Sequence, residues 1–234
     1  MKASVLPGFM AITPKLEGDT NWMYLDVKGL VTTGWGDLID PINAALYLPW
    51  FHKMTGLPAS VPEIRDAWAK VKGAISMMRM GGGAYAALTD LRLTSDGLSS
   101  LVQGRLGSDD ELLSKRWSMY ANAPADGQLA LLLCAWAAGP AWPAPHLDAA
   151  LASGDWDAAA GPVGDANAFV ACRGHAWLND DGNPGLRPRN LAVKLLLENA
   201  ACVASLPAVY DPNILYWPTR LGWNGPLTGA TGPV

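Results

Sequence analysis

Residues 21–35 constrain the fold more than any other stretch. Asn21-Trp22-Met23-Tyr24-Leu25-Asp26 and Leu30-Val31-Thr32-Thr33-Gly34-Trp35-Gly36 are rich in β-branched and aromatic residues, and Lys28-Gly29 lies between them. Two such runs around a glycine read as an antiparallel hairpin. It is the one clear hairpin in the sequence, and the residues after it favour helix. One hairpin before a helical remainder is the pattern of an α+β chain, predominantly α-helical. The expected architecture is bilobal: a small N-terminal β-hairpin lobe and a larger helical lobe.

The helical signals are local. Residues 42–54 are apolar, without glycine and with Pro49 as the one proline, and favour helix. Ser60-Val61-Pro62-Glu63 is a capping box with a proline tolerated in the first turn, so a helix begins near 62. Ile64, Ala67, Trp68, Val71 and Ile75 fall on one face of it. Gly81-Gly82-Gly83 should stop or hinge the chain. Asp109-Asp110-Glu111 reads as the opening of another helix, because acids favour a helix N-terminus. Asp126 can cap a helix over Gln128–Ala138, apolar almost all round and therefore central, and Gly139-Pro140 ends it. Shorter helices are expected near 146–152, 155–160 and 165–173. Asn183-Pro184-Gly185 is a turn, and Leu191–Leu206 a last amphipathic helix. From Pro207 the chain turns proline-rich, but Tyr210, Tyr216, Trp217 and Trp223 argue that this tail packs on the body.

Composition removes several classes of function. Half of the 234 residues are hydrophobic, so the chain can bury a core without staples. Lys plus Arg is 17 against 21 Asp plus Glu, a net charge of −4, which makes a poor binder of nucleic acid. No apolar run reaches the ~18 residues of a spanning helix, so no transmembrane segment is expected. The start, Met1-Lys2-Ala3-Ser4-Val5-Leu6-Pro7-Gly8, is a weak export signal, broken by Pro7-Gly8, so a cytoplasmic N-terminus is expected. Cys134, Cys172 and Cys202 form no C-x-x-C and read as buried free thiols. His52, His146 and His175 are scattered without metal-ligand spacing, and no Walker A loop occurs; neither a metal nor an organic cofactor is expected.

The chemistry concentrates in residues 17–40. Glu17 precedes the hairpin, Asp26 lies within it, and Thr32 is on its second strand. Two carboxylates around a hairpin suit glycoside hydrolysis, in which one gives a proton to the leaving oxygen and the other attacks the sugar or activates water. Different surroundings can separate their proton affinities. A hydroxyl such as that of Thr32 could hold the water. Trp35, between two glycines beside this site, is a candidate for sugar stacking. Trp68, Trp117 and Trp156 sit at helical spacing among apolar neighbours and read as core.

Glu17, eight residues, Asp26, five residues, Thr32, then Gly34-x-Gly36-x-Leu38 resembles the active-site signature of the phage-type lysozymes, the endolysins of glycoside hydrolase family 24. Weaker likenesses come after it in the same order. Leu131 to Gly139 resembles the family's central helix, Leu147 to Ala159 its W-D-x-A-A segment, and Asn183-Pro184-Gly185-Leu186-x-x-Arg189 the lead into its last helix. The resemblance implies a lysozyme-like catalytic domain over 1–206, with the small lobe about 15–60 and the helical lobe about 61–206, and then the 207–234 tail. It implies a cleft that binds the glycan strand of peptidoglycan, Glu17 as general acid, and Asp26 and Thr32 positioning water. It also implies Arg189, or its neighbour Arg187, as the arginine that orients the acid, and Gly36, Leu38 and Trp136 as residues lining the cleft. The implied protein is a muramidase, a monomer made in a host cytoplasm and acting on periplasmic peptidoglycan. A chitin-type hydrolase, a lytic transglycosylase and a non-catalytic glycan binder are the alternatives. Two positions depart from the pattern. Asp37 stands where the family often has histidine, adding a third carboxylate that could raise a neighbour's proton affinity by repulsion. Pro14 lies three residues before Glu17, where the family runs a helix, so a turn is expected there.

Overall fold

The computed structural model describes residues 1–161 and 187–222. Among them the fold is α+β and predominantly helical, with small antiparallel sheets. The chain packs as two compact units. One is Glu17–Arg105; the other joins Met1–Leu16 to the residues from Leu106 onward.

The first helix, α1 (Val5–Glu17), belongs to the second of these units, except that its last residue opens the first. It continues through Pro14, with Thr13 helical and buried, so the turn expected before Glu17 is absent.

The Glu17–Arg105 unit holds all the described strands. β1 (Thr20–Leu25) and β2 (Val31–Gly34) form the expected hairpin, and β3 (Asp37–Leu38) adds a third antiparallel strand on the far side of β2. Tyr24 pairs with Thr32 and Leu25 with Val31, while an irregularity separates this register from the Thr20–Gly34 pair. A short helix, α2 (Asn43–Leu46), leads to β4 (Trp50–His52), which pairs with β5 (Leu91–Leu93). The helix expected across 42–54 is therefore cut to one turn. Pro49 closes it, and Trp50 and Phe51 enter a strand whose partner lies about forty residues away.

Helix α3 (Val61–Gly73) begins where the capping box places it: the Ser60 backbone N–H and hydroxyl donate to the Glu63 carboxylate at 2.8 and 2.6 Å. Ile64, Ala67 and Val71 are buried on its inner face, and the half-buried Trp68 donates its indole N–H to the Ile39 carbonyl. Ile75 departs from this face. It lies beyond the helix end in a 3-10 turn and is exposed. Met23, Val31, Ile39, Trp50, Val71 and Tyr85 are among the core residues these elements share. The small unit thus reaches well past residue 60, because α3 and β5 both pack into the sheet's core.

Helix α4 (Ser95–Arg116) runs without a break through residues 109–111, so the acids expected to open a helix lie inside one. Its start is at Ser95, where the Thr94 hydroxyl accepts the Gly97 N–H at 3.0 Å. Asp109 is buried, and Asp110 accepts hydrogen bonds from the Met1 ammonium and the Tyr120 hydroxyl.

In the helical unit the central helix α5 (Ala125–Ala138) is buried from Ala125 to Trp136 and ends at Gly139, whose φ of 81° suits glycine. Helices α6 (Pro145–Ala152), α7 (Trp156–Ala160) and α8 (Arg187–Ser205) also belong to its described residues. Trp117 and Trp156 are core, as expected. The described part of the tail, up to residue 222, packs on this unit: the buried Asp126 carboxylate accepts the backbone N–H groups of Tyr216 and Trp217 and the side-chain amide of Asn199. Cys134 is buried and Cys202 partly so. The expected helix at 165–173, the turn at 183–185, Cys172, His175 and Trp223 lie outside the described residues. No helix among the described residues is long and apolar enough to cross a membrane.

Candidate active site

Glu17 is the final residue of α1. Gly18 comes next with φ of 82°, a left-handed conformation that glycine adopts freely, and the chain turns into β1. This turn fixes a half-buried carboxylate at the point where helix gives way to sheet.

Asp26 closes the hairpin. Its Oδ1 accepts the backbone N–H groups of Lys28 and Leu30, both at 2.8 Å, and its own N–H donates to the Leu30 carbonyl at 3.0 Å. Gly29 supplies the positive φ that the loop needs. One carboxylate oxygen is thus committed to the turn. Thr32 is buried, and its hydroxyl donates to the Leu30 carbonyl at 3.1 Å, leaving its oxygen able to accept from another donor.

Tyr24 relates these groups. It pairs with Thr32 across the hairpin. Its phenol is pushed up to about 12, first by burial and then by the negative charges of Glu17, Asp37 and Asp26, against the opposing effect of Arg105. Three carboxylates and one guanidinium therefore lie within electrostatic reach of a single phenol that stays neutral. Neither Tyr24 nor Arg105 is among the residues expected from the sequence. Tyr24 stands opposite Thr32 in the hairpin, so the register of the two runs holds a usable signal. Arg105 has none, because it reaches the site from α4.

Asp37 is 2 % exposed. Its Oδ2 accepts the Trp35 backbone N–H at 3.2 Å, and its Oδ1 faces Arg105 Nη1 at 3.8 Å. Burial raises its carboxyl to about 6; Arg105 and the Trp35 N–H pull it down, and Glu17 pushes it up. The like-charge effect expected of this residue acts in both directions: the Asp37 charge helps to raise Tyr24, and Glu17 helps to raise Asp37, with burial the larger cause at each.

Gly36 has φ of 90°, and its carbonyl accepts from Arg105 Nη1 at 3.0 Å. Leu38 is 53 % exposed. Trp35 is only 6 % exposed and its indole N–H donates to Asp19 Oδ1, so no broad ring face is open for stacking. It lines a cavity of about 300 Å³ with Asp19, Asn21, Leu93, Leu98 and Ser99. Trp136, in the helical unit, is 4 % exposed and meets Phe9 edge-on at 5.0 Å, a core contact instead of an open stacking platform. Arg189 is buried in the first turn of α8, also in the helical unit. Of Arg187 only the backbone, at the start of α8, is described.

The structure therefore brings Glu17, Asp26, Thr32 and Gly36 into one unit, joined by Tyr24, Asp37 and Arg105. Chemically the set offers carboxylates in unlike surroundings: Asp26 held by backbone N–H groups and Asp37 buried against an arginine. No protein-family model, curated protein or solved structure matches this chain.

Proposed function

We propose that the protein is a peptidoglycan hydrolase, a muramidase cleaving the β-1,4 bond between N-acetylmuramic acid and N-acetylglucosamine. In this reading Glu17 protonates the leaving glycosidic oxygen. Asp26 accepts a proton from the attacking water, whose oxygen forms the new bond to the anomeric carbon, and Thr32 helps orient that water. The observation that carries the reading is the convergence of Glu17, Asp26 and Asp37 on Tyr24, around a hairpin with lysozyme-like spacing. An Asp26 oxygen held by backbone N–H groups and a buried Asp37 facing Arg105 are carboxylates in unlike surroundings, the kind of arrangement that suits an acid and a base in one site. The glycan strand is the partner, and no cofactor takes part. The protein is a monomer made in the host cytoplasm and acting on the periplasmic wall.

Product analysis tests this. Purified Gram-negative peptidoglycan and chitin oligomers are digested separately and the products resolved by mass. Muropeptides with reducing-end N-acetylmuramic acid are expected from peptidoglycan. Anhydro-sugar ends would make the protein a lytic transglycosylase, and cleavage of chitin alone a chitin-type hydrolase. Binding to either glycan without any product would overturn the hydrolase reading.

A further inference from the structure

The turn Gly34-Trp35-Gly36 is held from two sides. Gly34 has φ of 60°, a conformation that strains other residues, and a Cβ there would lie 2.6 Å from Leu98 Cδ1 and 2.7 Å from Asp37 Oδ2, so any other residue would also have to displace those side-chain ends. Asp37 accepts the Trp35 N–H, and Arg105 donates to the Gly36 carbonyl from α4. The two side chains face each other at 3.8 Å. The turn is thus bracketed by a carboxylate and a guanidinium that attract each other, and the guanidinium comes from a residue 69 positions beyond Gly36.

We propose that Asp37 and Arg105 are positioning residues of the candidate site, a clamp on the Gly34–Gly36 turn that is tight while Asp37 is ionised and loosens when it takes up a proton. The effect on substrate rests on the hydrolase reading; the clamp itself does not.

Three features of the site support it. Asp37 Oδ1 is buried and has no donor at hydrogen-bond distance among the described residues, so the Arg105 guanidinium at 3.8 Å is the cation that meets its charge. A proton on Asp37 removes that attraction while the Trp35 N–H contact can persist. The charged and titratable groups around Asp37 are Arg105 on α4, Glu17 at the end of α1 and Tyr24 on β1, with Asp26 reaching the same phenol. Burial brings the Asp37 carboxyl to about 6, so the clamp changes state in weakly acid conditions. Tyr24 stays neutral there and cannot be the switch.

The test tracks the backbone amides of Trp35 and Gly36 by NMR in the ¹⁵N-labelled full chain, from about pH 8 to about pH 4. The wild type should show one shared midpoint about 6. Asp37→Asn should abolish it. Arg105→Gln should move it upward by about half a pH unit or more, since the cation that favours the ionised form is gone. With soluble glycan strands at neutral pH, Asp37→Asn should raise KM several-fold with kcat within about threefold, because the clamp shapes binding and not proton transfer. A midpoint that survives in Asp37→Asn, or that Arg105→Gln leaves in place, overturns the clamp. So does a fall in kcat at constant KM. If the wild type turns over no glycan, the hydrolase reading fails, and the amide titration still decides the clamp.

Discussion

The Asp26 carboxylate accepts the backbone N–H of Leu30 at 2.8 Å, across the hairpin turn that Asp26 itself begins. The same oxygen takes the Lys28 N–H, so this residue has a structural duty beside its proposed chemical one. The two separate by substitution. Asp26→Asn keeps a side-chain oxygen for the turn and loses the charge. It should melt close to the wild type while glycan cleavage falls by about 10²-fold or more. Asp26→Ala should lose the same activity and a further 1–2 kcal/mol or so of stability, read by urea unfolding. An active Asp26→Asn would remove Asp26 from the mechanism.

Ionising Asp37 has a cost to the fold. Its carboxyl titrates about 6 in the folded chain, against 3.8 for an ordinary aspartate. Between these values the folded chain binds more proton than the unfolded one, so the Asp37 contribution to stability is present at low pH and lost as pH rises through about 6. Asp37→Asn has no such proton. The stability of the wild type relative to this variant should drop by roughly 2–3 kcal/mol between pH 4 and pH 7. Parallel stability curves for the two proteins would contradict the burial argument. Arg105 and the Trp35 N–H offset only part of that cost, which places strain beside the proposed chemistry.

The tail depends on one buried acid. Asp126 is fully buried and accepts from Tyr216, Trp217 and Asn199. Asp126→Ala leaves those donors unmet and should cost about 2–4 kcal/mol. Limited proteolysis should then cut residues 207–222 well before the rest of the helical unit. Cleavage at the wild-type rate would mean that other contacts hold the tail.

Gly127 is fixed by space alone. A Cβ there would stand 2.6 Å from Trp156 Cη2 and 3.2 Å from the Ala200 methyl. Gly127→Ala should destabilise the chain by about 1–3 kcal/mol, despite alanine's better helix propensity. A stabilised variant would show that Trp156 can move aside.

The elements legible in the sequence are those written in adjacent residues. The hairpin, the Ser60–Glu63 box and the stop at Gly139-Pro140 each depend on a few neighbours. β4 and β5 do not. Each is three residues long, too short for periodicity, and each is a strand because the other is beside it. Pro14 illustrates the converse, a local preference overridden by packing, with Thr13, Ile12 and Phe9 all buried. The site divides the same way. Glu17, Asp26 and Thr32 are readable from spacing around one hairpin. Arg105 is not, because its bond to Gly36 depends on the course of α4. The burial of Trp35 and Trp136 is equally hidden, since residue type alone does not distinguish a stacking indole from a core one.

The most direct test of the hydrolase account compares initial rates of muropeptide release by the wild type and by Glu17→Gln at equal folded concentration. The glutamine keeps the shape of the side chain and cannot donate the acid's proton. The account predicts release by the wild type and a loss of about 10³-fold or more in the variant, with its melting temperature little changed. Equal release by both proteins would contradict it, because the cleavage would then owe nothing to the acid on which the proposed mechanism depends.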